Sequence, residues 1–387
     1  MWHFVSPDVV FGVGALEALD QLSAGRVLVV TDATLVELGL VDRVTSRLTR
    51  AGFETHLFAE VESDPSVQTV CRGVTMAQEI KPDWIVGLGG GSPLDAAKAV
   101  WVLYERPDLQ PPEINPFIDL GLGQKARLIT IPTTSGTGAE VTWGIVLTDT
   151  VEQRKMGLGN REIVAELAIV DPTLAASMPP VLTADTGMDA LTHAVEGYAC
   201  TWHTDLTDGF CLKAAIDIFS YLPRAVGDGT DMEARERMHN AATCAGLGFG
   251  NAMASLAHAM GHALGAAFHL PHGRAVGLFL PYTVDFAARG APERFSELSG
   301  ILGLSTGRDE EGCRALAARI RDLAREIGSP TSVCDAGIEP HLCRERLDEL
   351  VDNAFNDTQI VTAPRTPTYA ELTDLFLCAF HGRDVDF

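Results

Sequence analysis

The sequence predicts a doubly wound α/β domain over residues 1–180 followed by an all-helical domain over residues 181–387. Three observations carry this. The chain is 387 residues long, and a domain usually runs to about 100–200 residues, so two cores are expected. Short apolar runs alternate with helically spaced segments through the first part, the βαβ pattern of a parallel sheet. Beyond Pro179-Pro180 the helical spacing continues with no strand signal.

Element by element, Val9-Val10-Phe11 is an apolar N-terminal strand that could pair across subunits. Arg26 to Thr31 is an apolar run closed by Asp32, and reads as a buried strand. Thr34 to Arg50 carries leucines and valines at helical spacing. Phe53 to Phe58 is a second strand, Val67 to Ile80 a helix, Trp84 to Gly89 a third strand, and Ser92 to Tyr104 a helix. Ala126 to Pro132 and Val141 to Leu147 add strands. In the second part the helices are Leu182–Ala199, Leu206–Leu222, Glu233–Phe249, Ala252–Phe268, Ala275–Ala288 and Glu310–Ile327, with 356–367 as a loop.

Composition narrows the function. With 46% hydrophobic and 21% charged residues, the chain is neither disordered nor a coiled coil. No run approaches the ~20 apolar residues of a spanning helix. The formal charge is −23; such a surface repels phosphate backbones and anionic lipid, so neither nucleic acid nor membrane is expected as a partner. Met1 to Asp8 has no basic or apolar leader character. The eight cysteines form no CxxC pair, which argues for reduced thiols and a cytoplasmic location.

Two small-residue loops stand out. Gly87-Leu88-Gly89-Gly90-Gly91-Ser92 ends a strand, and Pro93 opens a helix that includes Asp95 and Lys98. Glycines admit a pyrophosphate close to the backbone, and the helix N-terminal amides point at it. Thr133-Thr134-Ser135-Gly136-Thr137-Gly138 follows another strand and suits the same ligand. Together they make the first domain a dinucleotide-binding candidate. Asp32, at the end of its strand, can accept from ribose hydroxyls and repel a 2′-phosphate. It also suits the N-cap of the next helix, and both readings stay open.

Histidines cluster in the second part. His258 and His262 are four apart and share a helical face, with Cβ atoms about 5–6 Å apart. His272 follows in Pro271-His272-Gly273. Upstream, Asp189 and His193 are also four apart. A carboxylate with imidazoles on neighbouring helices makes a mixed O/N site for Fe(II) or Zn(II). Spacing does not say which of His258, His262 and His272 are ligands. His269 reads as structural, and Glu196 either as solvated or as a residue supporting a ligand from behind.

These stretches, in this order, resemble the iron-containing (group III) alcohol dehydrogenase family. The resemblance rests on Gly89-Gly90-Gly91-Ser92 with Asp95 and Lys98, on Thr133 to Thr142, on Gly187 to Glu196, and on His258-Ala259-Met260-Gly261-His262 with Pro271-His272-Gly273. It implies an α/β N-terminal dinucleotide-binding domain plus an all-α C-terminal domain, with the active site in the cleft between them. It implies metal ligands Asp189, His193, His258 and His272, with Fe(II) the usual metal and Zn(II) the substitute. His262 takes the place of a histidine near the nicotinamide in the proton path. Asp32 falls where the family favours NAD(H), and Lys155 matches a lysine near the cofactor. Trp143 and Phe249 fall near the substrate pocket and favour a small primary alcohol or aldehyde. A homodimer or larger homo-oligomer is implied. The stretch Asn356-Asp357-Thr358-Gln359 departs from the family pattern.

Other readings share the scaffold. A dehydroquinate synthase-like lyase needs basic residues around a phosphorylated substrate, and only Arg274 stands beside the metal motifs. A hydroxyacid–oxoacid transhydrogenase would turn over without added NAD. A non-enzymatic nucleotide- or metal-binding protein would bind both and turn over neither.

Overall fold

The computed structural model describes residues 3–150, 154–307 and 309–387. Contacts divide the chain into two compact units, Met1–Ser177 and Met178–Phe387.

The first unit is built on a six-stranded parallel sheet. Its strands are β1 (Asp8–Phe11), β2 (Arg26–Val30), β3 (Glu54–Phe58), β4 (Trp84–Gly89), β5 (Arg127–Pro132) and β8 (Leu167–Val170), in the order β1-β8-β5-β4-β2-β3. Successive side chains of a strand face opposite ways, and both faces here are apolar. Leu28, Val30, Ile85 and Leu128 belong to one core, and Val27, Val29, Val86 and Ile129 to the other. Helices α1 (Ala33–Glu37), α2 (Leu40–Arg50), α3 (Val67–Ile80), α4 (Gly91–Glu105) and α5 (Pro172–Ala175) connect or follow the strands. From β2 the chain runs outward to β3. From β4 it runs the other way, to β5. The carboxyl ends of β2 and β4 therefore flank a topological switch point, where open α/β sheets bind ligands. Asp32 and the glycine loop follow those two strand ends.

Three details differ from the sequence reading. The expected helix from Thr34 to Arg50 is two helices, because Gly39 adopts a left-handed φ of 71° between them. The expected strand at Val141–Leu147 is β6 (Gly144–Asp149), outside the main sheet, paired antiparallel with β7 (Arg154–Gly159). Hydrogen bonds from α4 hold its start and the segment before it. Lys98 Nζ donates to Thr142 Oγ1 and to the Gly144 carbonyl, and the Val146 amide donates to Asp95. Burial lowers the Lys98 ammonium from its ordinary value, with Asp95 and Glu140 opposing. Finally, β8 fills the sheet interior with only four residues, too few for a periodic signal.

The second unit holds helices α6 (Pro180–Ala199), α7 (Asp205–Gly227), α8 (Met232–Phe249), α9 (Leu256–Phe268), α10 (His272–Ala287), α11 (Glu293–Ile301), α12 (Glu310–Glu326), α13 (Pro340–Glu345), α14 (Leu347–Phe355) and α15 (Tyr369–His381). All strands among the described residues lie in the first unit. Helix α6 is buried on every side from Gly187 to Ala199, so α7, α8, α9 and α10 can all pack on it. Arg235 fixes its start from within the core, donating to Met178 O, Thr183 Oγ1 and Gly229 O. The expected loop at 356–367 contains a 3₁₀ turn, Thr358–Thr362, capped by Asp357. Among the described residues, no helix is long and apolar enough to cross a membrane.

Candidate metal centre and nucleotide loops

Three helices of the second unit bring four side chains to one point. Asp189 and His193 lie one turn apart on α6, His258 sits in the first turn of α9, and His272 opens α10. One donor atom from each lies within 4.8 Å of all the others. From Asp189 Oδ1 the distances are 3.4 Å to His272 Nε2, 3.7 Å to His193 Nδ1 and 4.0 Å to His258 Nε2. A tetrahedral ion with bonds of about 2.0–2.2 Å puts its ligands about 3.3–3.6 Å apart, so the spacing suits one divalent cation. Three of the four residues are buried. The His272 side chain is 40% exposed, which leaves one side open.

Polar satisfaction makes the same point. Asp189 Oδ1 and His258 Nε2 are buried without a hydrogen-bond partner. An unsatisfied buried polar atom costs roughly 1–3 kcal/mol, so two facing each other are an arrangement that a cation relieves. Burial alone would raise the Asp189 carboxyl. The imidazoles of His193, His272 and His258 hold it well below the usual carboxylate range instead.

Neighbouring groups aim the ligands. Glu196, two helical turns from Asp189, is buried and accepts from His258 Nδ1 at 2.6 Å. That bond leaves Nε2 of His258 facing Asp189. The same carboxylate accepts the backbone amides of Ser255 and Ala257, at 2.9 and 2.6 Å, and so terminates the N-terminal end of α9. Burial lowers the His258 imidazole, but the hydrogen bond and charge of Glu196 reverse this and raise it. The His193 ring lies flat against Phe249, with centroids 3.8 Å apart, and stacks on His258 at 4.5 Å. Gly273 lets α10 meet α6: a methyl group there would come within 2.2 Å of the Asp185 carbonyl and 2.9 Å of Asp189 Cβ. Arg274 holds the same crossing with two 3.0 Å bonds to Asp185.

The sequence left Glu196 either solvated or supporting a ligand from behind, and the structure shows the second. Its spacing favours that alternative, since Asp189, His193 and Glu196 recur at four and three residues on one helical face. Glu196→Gln should weaken metal binding about 10–100-fold, measured by competition with a chelator of known affinity. An unchanged affinity would remove Glu196 from the site.

His262 lies one turn beyond His258 but is not one of the four converging residues. Its Nδ1 is 2.7 Å from Asp357 Oδ2, and its ring stacks on His272 at 5.3 Å. Burial lowers its imidazole from the ordinary value, and Asp357 opposes the shift. His269 ends α9 in a left-handed conformation, with φ 55°.

In the first unit, α4 starts at the glycine loop with no side-chain cap, so its leading amides are not claimed by a capping side chain. Gly89, Gly90 and Gly91 adjoin the second loop. Thr133 N donates to Gly89 O, and a methyl on Gly91 would lie 3.0 Å from the Thr137 side chain. Thr134 and Thr137 are half-buried and Ser135 is buried. An uncapped helix end beside small residues fits a pyrophosphate. Of the other expected cofactor residues, Ser92 Oγ accepts the Asp64 amide at 3.3 Å, and Lys155 pairs with Asp64 at 2.6 Å. Asp95 is bonded to Val146, as above. Asp32 caps α1, with Oδ1 accepting Leu35 N at 2.9 Å. Trp143 packs its ring against Gly159 at the base of the β6–β7 ribbon.

Comparison with known proteins agrees with this chemistry. A family profile described as "Iron-containing alcohol dehydrogenase" matches residues 6–172. A second, "Fe-containing alcohol dehydrogenase family, C-terminal", matches residues 183–380. The chain is 38% identical over 390 residues to the NADPH-dependent butanol dehydrogenase of Clostridium saccharobutylicum, covering 100% of each. It also matches bifunctional aldehyde-alcohol dehydrogenases, spanning about half the length of that of Escherichia coli (47%, at 37% identity). Among solved structures, the alcohol dehydrogenase from Oenococcus oeni superposes with a TM-score of 0.93 at 30% identity, covering 98% of this chain and 100% of that one. Sulfoacetaldehyde reductase from Bifidobacterium kashiwanohense, in complex with NAD+, superposes at 0.85 with 28% identity, covering 98% of each. The buried Asp/His donor set and these matches give one conclusion: the chain belongs to the iron-containing alcohol dehydrogenase family and catalyses the metal-dependent interconversion of an alcohol and an aldehyde.

Proposed function

We propose that the enzyme reduces a small aldehyde, or oxidises its primary alcohol, with Fe(II) at Asp189, His193, His258 and His272 and with NAD(H) as the hydride carrier. The observation that carries this reading is the converging donor set of one carboxylate and three imidazoles, three of the four residues buried. When bound, the metal supplies Lewis acidity at the substrate oxygen, and the nicotinamide takes up or delivers hydride. The chain's own residues do the rest. Glu196 fixes His258, Phe249 backs His193, and His272 lies on the open side where substrate enters. His262 exchanges the substrate proton. Zn(II) suits the same oxygen and nitrogen donors and is the alternative metal. Arg274 is engaged by Asp185, which supports an uncharged or singly charged substrate over a phosphorylated one. Phe249, flat against His193, is proposed to wall one side of a small pocket at the metal site.

The cofactor preference rests on Asp32, whose carboxylate disfavours a 2′-phosphate; the butanol dehydrogenase relative is named for NADPH. Asp32→Ser keeps a helix cap and removes the charge. It should raise the kcat/KM ratio of NADPH to NADH by about tenfold or more, the value of roughly 1.4 kcal/mol. No change would take Asp32 out of cofactor selection. The three glycines, Ser92, Thr133, Thr134, Ser135 and Thr137 are proposed to cradle the pyrophosphate. Asp95 and Lys155 act there through Val146 and Asp64.

We also propose a cytoplasmic enzyme that pairs with a second copy through the free edge of β1, where Phe11 is exposed. A monomer mass by light scattering at micromolar concentration would contradict the pairing. The function itself is tested by anaerobic oxidation of NADH and of NADPH against a panel of small aldehydes, neutral and anionic, with Fe(II) supplied. Turnover that a chelator abolishes and Fe(II) restores is the expected result. Absence of turnover across the panel, with metal and nucleotide both bound, would overturn the proposal.

A further inference from the structure

We propose that Asp357 is a positioning residue that sets the orientation and tautomer of His262; the catalytic consequence rests on the function proposed above. The carboxylate is anchored from two directions. Its Oδ1 accepts the Gln359 amide at 2.8 Å, which caps the 3₁₀ turn Thr358–Thr362, and its Oδ2 faces His262 Nδ1 at 2.7 Å. An ionised carboxylate only accepts, so Nδ1 is the nitrogen that carries the proton and Nε2 keeps its lone pair. A neutral imidazole without such a partner divides between two tautomers, only one of which presents the lone pair at Nε2.

Geometry separates this histidine from the four metal-site residues. Its ring centroid is 5.8 Å from that of His258 and 5.3 Å from that of His272. Its Nδ1 is committed to Asp357, and its side chain remains 36% exposed. Two carboxylates therefore work in parallel on α9. Glu196 accepts from His258 Nδ1 and turns Nε2 towards Asp189, while Asp357 accepts from His262 Nδ1 and leaves Nε2 for the substrate proton. In alcohol oxidation the hydroxyl proton would pass to His262 Nε2 and then to water, and a bound nicotinamide would supply the acceptor for the hydride that carries off the C–H electron pair. In reduction both transfers reverse. Asp357 stays ionised in both directions, holding the ring and stabilising its protonated form.

Asp357→Ser is the decisive variant. Serine still caps the turn but is too short to reach His262. The variant should lower kcat by on the order of 10–100-fold, with bound metal and aldehyde KM within about threefold of wild type. His262→Ala should lower kcat at least as much, and the double variant no further than His262→Ala alone, since the two residues act as one unit. A purely structural role would multiply the losses. A second readout does not depend on turnover: ¹⁵N NMR of the Zn(II)-loaded protein should show His262 protonated at Nδ1 in wild type and shifted towards the Nε2-protonated tautomer in Asp357→Ser. The Nε2-protonated form in wild type, loss of metal in Asp357→Ser, or multiplying losses would each overturn the proposal. The expected tautomers in a protein that turns over no aldehyde would uphold the positioning role and defeat the function proposed above.

Discussion

His258→Ala is expected to leave the purified protein with essentially no bound metal and no measurable aldehyde reduction. The variant removes one of four donors that converge within 4.8 Å. It also strips Glu196 of the imidazole that it holds at 2.6 Å. A buried carboxylate that loses its partner is strongly unfavourable, by roughly 3–5 kcal/mol in comparable pairs, so the start of α9 should loosen as well. Metal analysis of protein purified with Fe(II) or Zn(II) supplied checks the first part, and the melting temperature the second. His262→Ala is the control, because it sits on the same helix face one turn away yet lies outside the converging set. It should keep its metal and turn over at least about 10–100-fold more slowly. Metal retained in His258→Ala, or lost in His262→Ala, would reassign the ligands.

The second large effect comes from a residue with no side chain. Gly273→Ala adds one methyl group where the Asp185 carbonyl would stand 2.2 Å away and Asp189 Cβ 2.9 Å away. Both obstacles are backbone or backbone-proximal atoms of α6, which is buried on every side from Gly187 to Ala199, so α10 must give way. Elsewhere in a helix the same change stabilises by about 1 kcal/mol, because alanine is the better helix former. Here overpacking should reverse that sign and cost about 1–3 kcal/mol. The displacement carries His272 away from Asp189, now 3.4 Å distant. The expected result is a lower melting temperature and at least tenfold weaker metal binding, although no donor atom has been removed. A variant as stable as wild type with full metal affinity would show that α10 does not need this close approach.

How far the sequence could be read follows from the range of each interaction. Both i, i+4 pairs and the histidine after Pro271 are local patterns; they contain the four residues that converge in the second unit, and also His262, which does not. The strands β2 and β4 were legible because Val27–Val30 and Trp84–Leu88 are apolar on both faces, as a sheet covered on each side requires. What escaped depends on distant partners. Glu196 stays open between a solvated charge and a support for a ligand until His258 is placed beside it, 62 residues on. Asp357 reads as loop until it meets His262, 95 residues earlier. Helix α9 starts at Leu256 instead of Ala252 because Glu196 intercepts the amides of Ser255 and Ala257. Strand β6 leaves the main sheet because Asp95 and Lys98 tether it to α4. Asp32 is the reverse case, in which both readings offered by the sequence remain compatible: one carboxylate oxygen caps α1, at the strand end where a ribose would lie.

The proposed reaction requires one metal ion, held by Asp189, His193, His258 and His272. The most direct measurement is a titration of metal-free protein with Fe(II) under anaerobic conditions, following bound metal and aldehyde-dependent NADH or NADPH oxidation in the same samples. Activity should rise in proportion to bound metal and level off at one ion per chain, with His258→Ala staying at zero for both. Full turnover in rigorously metal-free protein, or a plateau that His258→Ala reaches unchanged, would contradict the account.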